Sequence, residues 1–384
     1  MTRYFLIEPF EPLTIRGNRS FGAPGEHGES QMMPPWPSVF AGAIRAAILG
    51  RDAATLAAFK PDVSVPLSGP IGCVLGTVDA PGSFRLSWLS LAHHSEDKWV
   101  PAIPAPADLV IGEDNVIHQF APQVLPAGVS AGFPLPLAPV LRVARQAKPQ
   151  AGCWIAGEHL ERYLSGETPG ETLKASVFFK KETRVGIALD HATRTASEGH
   201  IYSTEAVSFH KCAGFLVGVD GAEECILPDE GLLRLGGDGT ATRYTALPSF
   251  SLPTFSADEA IRASGRFRLV LTSPAIFEHG WIPDRTLDSS SGLRLMLDGF
   301  SARLASAAFG AHSVISGWDI ARWQPKAARR VVPAGSVYWF DQAEGDPRKL
   351  AEWVSGGIWP DNPDKQRMAE GFNQAALAAW SRTA

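Results

Sequence analysis

Lys211-Cys212-Ala213-Gly214-Phe215-Leu216 and Arg329-Arg330-Val331-Val332-Pro333-Ala334-Gly335-Ser336-Val337-Tyr338-Trp339 carry one pattern in two distant parts of the chain. In each, a basic stretch precedes a glycine and then a short apolar, aromatic run of the kind that forms a strand. A small βαββαβ unit present twice would produce such an echo, and it makes the chain an α+β protein. Outward from these two strands, residues 3–8, 84–91, 175–180, 200–209 and 267–271 also read as strands, and 214–219 closes on a turn at Asp220-Gly221. The clearest helix follows Ser38, a good N-cap, with Val39, Phe40, Ala43, Ile44, Ala47 and Ile48 on one side and Gly42 and Arg45 on the other. Short helices are expected near 157–165 and 348–354, and the periodicity of 366–380 suggests one more. Pro248-Ser249-Phe250-Ser251-Leu252-Pro253 reads as a linker, which divides the chain into domains 1–252 and 260–384. Residues 100–150, rich in proline, read as a loop-like insertion.

Composition narrows the function. The 384 residues are 45% hydrophobic and 20% charged, a balance that fits packed cores rather than a disordered chain. No run of eighteen apolar residues suggests a membrane span, and Met1–Leu6 lacks the features of a signal peptide, so a cytoplasmic protein is expected. Cys73, Cys153, Cys212 and Cys225 are far apart without a C-x-x-C pair, so they are expected to be buried, reduced thiols rather than zinc ligands. The net charge of −5 argues mildly against a nucleic-acid binder, since such proteins are usually basic. Any RNA contact must therefore use local positive charge.

Two stretches supply it: Lys180, Lys181 and Arg184, with Arg194, Lys211 and Tyr202 further on, and Arg322, Lys326, Arg329 and Arg330. Cations of this kind neutralise phosphates, and aromatics such as Tyr202 and Trp323 stack on unpaired bases. A solvated protein face is the alternative for either stretch. Gly236-Gly237-Asp238-Gly239 fits a phosphate cradle or a tight turn, and no P-loop is present. Gly128-Val129-Ser130-Ala131-Gly132 has the G-x-S-x-G spacing, but Pro126, Pro134 and Pro136 exclude the strand–turn–helix that a nucleophilic serine needs. The histidines, among them His93-His94, His191, His200 and His210, form no compact metal pattern. No catalytic residue, metal site or cofactor is assigned.

Several segments, in order along the chain, resemble the RAMP superfamily, and within it the third-numbered subunit family of the Cmr complex, the type III-B CRISPR effector. They are Ile7-Glu8-Pro9 with Leu13, Arg16-Gly17-Asn18-Arg19 and Phe21-Gly22; Pro34-Pro35-Trp36-Pro37 through Arg45; and Arg184 to Asp190 with Thr193, Thr195-Ala196, Glu198-Gly199 and Ile201–Glu205. Further matches are Leu235–Gly239, Ser273–Phe277 with Gly280–Pro283, Gly317-Trp318-Asp319, Pro325-Lys326 and Val332–Tyr338. A closing glycine-rich stretch is represented only by Glu370-Gly371-Phe372-Asn373, and 100–150 has no counterpart. The resemblance implies two ferredoxin-like (RRM-like) domains with long loops and a β-hairpin inserted at 180–205. It implies a non-catalytic subunit that holds the five-prime repeat handle of crRNA and docks on the large polymerase-like subunit and backbone RAMP subunits.

On that reading the RNA lies against Gly42 and Arg45, the hairpin from Lys180 to Tyr202 and the loop 236–239. Arg16, Arg19, Arg45, Lys181, Arg184, Lys326 and Arg330 would neutralise phosphates, with Lys180, Arg194 and Arg329 nearby. Gly236, Gly237 and Gly239 would offer backbone N–H groups, and Tyr202 would stack or pack. Two rivals remain: a RAMP endoribonuclease using a histidine such as His191 or His200, and a scaffold subunit whose basic stretches meet acidic proteins.

Overall fold

A computed structural model of the chain describes residues 2–15, 33–59, 69–77, 80–129, 132–143, 148–189, 192–236, 239–253, 255, 258–290, 292–319 and 322–380, without the side chains of 188 and 196–204. It is a mixed α/β structure with mostly antiparallel strands and few helices. By contacts the chain forms two compact units. The first comprises 1–99, 175–248 and 316–327, and the second 100–174, 249–315 and 328–384.

In the first unit the strands Arg3–Pro9, Arg85–Ser95, Ala213–Asp220 and Thr240–Ala246 neighbour one another in the order fourth, first, third, second, all antiparallel. Glu230–Leu235 pairs outside the fourth. Helix Pro37–Leu49 buries Phe40, Ala41, Ala43, Ile44, Ile48 and Leu49, and Phe40 meets Phe215 edge-on at 4.8 Å. Burial of each large side chain of this face contributes about 1.5–3 kcal/mol. The helix begins two residues earlier than an N-cap at Ser38 predicts. Pro37 occupies its first turn, where its fixed φ suits a helix and its missing N–H costs nothing, so Trp36 is the N-cap and Ser38 lies inside.

In the second unit Phe267–Leu271, Phe300–Ala308, Val337–Gly345 and Ala375–Ala378 repeat the same order. Phe267 and Phe340 stack at 4.9 Å in a core that includes Leu269, Leu304, Leu350 and Val354. Helix Pro347–Ser355 is capped by Asp346, whose side chain accepts from the Arg348 N–H. The apolar ends of the two echoed sequences thus fall on the third strand of each unit.

Three expectations need correction. Residues 366–380 hold only the short helix Lys365–Ala369, and Ala375–Ala378 then pairs with Phe267–Leu271; alanines on an edge strand carry little β signal. Residues 175–177 are a 3-10 turn, and the strand begins at Phe179. The stretch 100–150 is not mere loop. It holds most of Lys98–Pro104 and two small strand pairs, Leu109–Ile111 with Ile117–Gln119 and Ala121–Gln123 with Ala138–Val140.

That stretch groups with the second unit for a definite reason. Arg268 lies in a fully buried strand, where an unpaired charge is costly. Its Nη1 donates to Asp108 Oδ2 at 2.8 Å, its Nη2 to the Tyr163 carbonyl at 2.7 Å and its Nε to the Ala379 carbonyl at 2.8 Å. Asp108 also accepts from Tyr163 Oη at 2.7 Å and Gln119 Nε2 at 2.9 Å. Burial, and then the Asp108 charge, hold the Tyr163 phenol well above its ordinary pKa. Among the described residues no helix is long and apolar enough to cross a membrane.

Candidate nucleic-acid interface

The long hairpin Phe179–Leu189 with Ala196–Phe209 is antiparallel and in register from Phe179↔Phe209 to Ile187↔Ile201. Alternation along its first strand separates two sets of side chains. Lys181, Val185, Ile187 and Leu189 face one way, and Lys180, Glu182 and Arg184 the other. Val185, Ile187 and Leu189 are all exposed, at 71%, 50% and 60%. This apolar stripe was readable from alternation and was not singled out in the sequence. Lys181 Nζ lies 2.9 Å from Glu205 Oε1, and Arg184 Nη2 lies 3.8 Å from Glu182 Oε2. The cations of the hairpin are therefore surface groups with local acidic neighbours. Arg194 is exposed at the turn with a left-handed backbone (φ 57°), beside a hydrogen bond between the Thr193 and Thr195 hydroxyls. Tyr202 pairs with Gly186 through the backbone, and its side chain lies outside the described residues.

The foot of the hairpin is tied to the segment after the first strand. Leu13 and Val207 exchange backbone hydrogen bonds of 2.8 and 2.9 Å. The next residue, Thr14, presents its carbonyl to Gly236, where a Cβ would lie 2.8 Å from that oxygen. Gly236 has φ 81°, so both its conformation and the close approach require glycine. The strand Glu230–Leu235, on which helix Pro37–Leu49 packs, leads directly into it. Hairpin foot and Gly236 thus meet at Leu13 and Thr14. Gly239 has φ 63° and donates its N–H to the Gly236 carbonyl at 3.3 Å. Arg16, Arg19, Gly237 and Asp238 lie outside the described residues.

On helix Pro37–Leu49, Gly42 is exposed, and a Cβ there would meet nothing within 4 Å. Among the described residues no neighbouring backbone explains the glycine. Arg45 is half-buried, with its guanidinium 5.0 Å from the Phe84 ring centroid, so it is not turned fully to solvent. The second basic stretch is divided between the units. Lys326, half-buried, donates its N–H to the Gly317 carbonyl at 2.9 Å in the first unit. Arg329 and Arg330 are exposed on a short strand paired with Ser313–Ile315 in the second.

Three of the histidines singled out in the sequence have local contacts. His93 meets Phe178 edge-on at 5.8 Å, His94 meets Trp99 at 5.2 Å, and His210 Nε2 is 3.1 Å from the Ser176 carbonyl oxygen. Burial, and then His94, pull His93 below the ordinary histidine pKa. His191 and the His200 side chain lie outside the described residues, as do Ser130 and Ala131 of the G-x-S-x-G stretch. Cys153 is buried as expected, whereas Cys73, Cys212 and Cys225 are exposed free thiols, because each sits at a turn or on the outer side of a short helix.

The fold is similar to that of a chain in a cryo-EM structure of the type III-B Cmr-beta bound to cognate target RNA. The TM-score is 0.53 and the identity 16%, over 99% of this chain and 97% of that one. A second such structure, with cognate target RNA and AMPPnP, gives a TM-score of 0.52 at 16% identity over 97% and 98%. At that identity the likeness is one of fold. No curated relative matches the sequence. The model of one family, the CRISPR-associated protein family Cas_Cmr3, matches residues 5–380. On that match, which spans nearly the whole chain, the protein belongs to the Cas_Cmr3 family of CRISPR-associated proteins.

Proposed function

We propose that this chain is a non-catalytic, RNA-holding subunit of a type III-B CRISPR effector complex. It holds the five-prime repeat handle of crRNA and docks on the large polymerase-like subunit and on backbone RAMP subunits. The observation that carries this reading is the junction at Leu13–Val207 and Thr14–Gly236. It brings together the foot of an exposed basic hairpin, a glycine loop and the chain leading into Arg16 and Arg19. A single strand crossing that junction would pass the Gly236 turn and could follow the hairpin along the face of Lys180 and Arg184 or the face of Lys181, where those cations would neutralise its phosphates. Unpaired handle nucleotides suit such a surface, because single-stranded RNA is read through splayed bases and 2′-hydroxyls.

Two ferredoxin-like domains, 1–252 and 260–384, belong to the same reading. The order fourth, first, third, second in both units is the strand order of that fold and supports it. The acidic net charge fits a chain whose remaining surface faces protein.

The test is to purify the assembled complex through a tag on this chain and sequence the RNA it retains. RNAs sharing one repeat-derived five-prime end support the reading. So does weaker retention in a Lys181→Ala, Arg184→Ala variant. Undiminished retention of RNAs whose repeat-derived end has been replaced would overturn handle recognition. Cleavage of repeat RNA by the purified chain would overturn the non-catalytic assignment.

A further inference from the structure

Trp318 and Trp323 are exposed at 50% and 76%, an uncommon fate for two tryptophans in one short segment. Around them the backbone is held closely. Trp318 pairs with Pro325 and Asp319 with Gln324. The Lys326 N–H donates to the Gly317 carbonyl at 2.9 Å, and Ser316 Oγ donates to the Lys326 carbonyl at 2.7 Å. Asp319 closes the turn by accepting from the Arg322 N–H at 3.0 Å and from Arg322 Nη1 at 3.1 Å. Trp323 itself has φ 54°, a left-handed backbone that a bulky aromatic residue rarely adopts. A segment so tied, with strain at the residue that projects most, holds its indoles outward by construction rather than by looseness. The rings lie 5.8 Å apart at 86°, so neither covers the face of the other.

Their surroundings indicate what they take. Residues 316–330 contain four cations, Arg322, Lys326, Arg329 and Arg330, against one acid, Asp319, which Arg322 engages. Trp318 stands opposite Pro325 across the strand pair, and Arg322 and Gln324 flank Trp323 in the chain, with Lys326 following Pro325. The core of a protein-docking patch is depleted of charge. Aromatic faces interleaved with cations are instead how single-stranded nucleic acid is held, since every base offers a π-face and every nucleotide a phosphate.

We propose that Trp318 and Trp323 form a stacking platform for unpaired bases of single-stranded RNA, flanked by Arg322 and Lys326 for the adjoining phosphates. This rests on the RNA-holding reading above but uses residues other than those of the hairpin and glycine loop. The platform tolerates any base, so it adds affinity and position rather than sequence preference.

The experiment is photo-crosslinking of the assembled complex loaded with crRNA containing 4-thiouridine, followed by peptide mapping, for the native chain and for Trp318→Ala, Trp323→Ala and Trp323→Phe. Crosslinks are expected in 316–327. They should be lost in the double alanine variant and kept in Trp323→Phe, with crRNA affinity of the double variant falling about 5- to 100-fold. Both tryptophans are exposed, so the variants should assemble. Crosslinks confined to 179–209 and 236–246, with full affinity in the alanine variants, would overturn the platform and leave the handle reading standing. Crosslinks confined to 316–327 would do the reverse. Absence of any crosslink to this chain overturns both, and loss of a protein subunit with RNA retained would mark 316–327 as a protein-docking surface instead.

Discussion

The two units share a strand order and differ in where they keep their charges. Among the described residues the buried charged side chains, Asp108, Arg268, Asp284, Asp341, Arg367 and Glu370, all belong to the second unit, whereas the buried polar side chains of the first are Ser90 and Thr242. Their covers differ too. The first unit places helix Pro37–Leu49 between its first and second strands, and the second places Pro347–Ser355 between its third and fourth. One sheet plan thus supports two kinds of work. Charges inside a unit fix one arrangement of its segments and are unavailable to a ligand. Charges left outside are available to one. On the proposed reading RNA is held chiefly by the first unit, whereas the second has a polar, internally cross-tied core.

The sharpest way to break that comparison is Asp108→Ala, which leaves the Arg268 guanidinium buried beside Tyr163 without its counter-charge. A loss of about 3–5 kcal/mol is expected, read from chemical denaturation. Replacing Arg268 and Asp108 together by Met and Leu should recover much of it. A loss under about 1 kcal/mol for the single variant would mean that the buried network does not hold 100–150 in place. Next comes Gly236→Ala in the first unit, where a Cβ meets the Thr14 carbonyl and φ is 81°. It should cost about 1–3 kcal/mol and weaken crRNA retention together, because the strain falls at the proposed junction. Loss of stability with RNA retention unchanged would separate the turn from the binding surface.

Asp284 offers a smaller, pH-dependent test of the second unit. Burial raises its pKa to about 6, helped by the Glu278 charge and opposed by the Glu278 N–H and by His279. Its Oδ2 is buried and has no hydrogen-bond partner among the described residues. A raised carboxyl pKa means that the folded chain holds a proton the unfolded chain has released. Stability therefore falls as pH rises from about 4 to about 6 and stays lower above that. Asp284→Asn should be neutral near pH 4 and stabilising by about 1–2 kcal/mol at pH 7.5, read from melts at both values. Equal effects at the two pH values would exclude a buried, strained carboxylate.

How much of this was legible in the residues follows the same division. The third strands announced themselves because Ala213–Val219 and Val337–Asp341 are buried throughout, and burial on both faces writes a largely apolar run. Helix Pro37–Leu49 was visible from its periodicity, although the N-cap was displaced by a proline whose effect outweighs that of a neighbouring serine. Ala375–Ala378 was hidden because alanine favours helices and only pairing with Phe267–Leu271 makes it a strand. Asp108 could not be found from spacing, since its partners Arg268 and Tyr163 are 160 and 55 residues away. The hairpin cations were found by their density in an acidic chain, with Glu182 visible among them, but Glu205 became a neighbour of Lys181 only through register.

Those hairpin pairs give the finest test of the comparison, because they predict almost no change in stability. Lys181 and Glu205 are partly exposed, and an ion pair of that kind contributes about 0–1 kcal/mol. Lys181→Ala should therefore leave the melt within about 0.5 kcal/mol of the native chain. Its effect belongs in the salt dependence of RNA binding instead. Each phosphate contact on a single strand adds about 0.7 to the slope of log affinity against log salt, so losing one contact should flatten that slope by about this amount. Glu205→Gln acts in the opposite sense, freeing Lys181 from its acidic neighbour and strengthening retention at low salt while leaving the fold unchanged. If Lys181→Ala destabilises the chain but leaves the salt slope as it was, the hairpin cation is a structural group like Arg268, and the division of labour between the two units fails at its most exposed point.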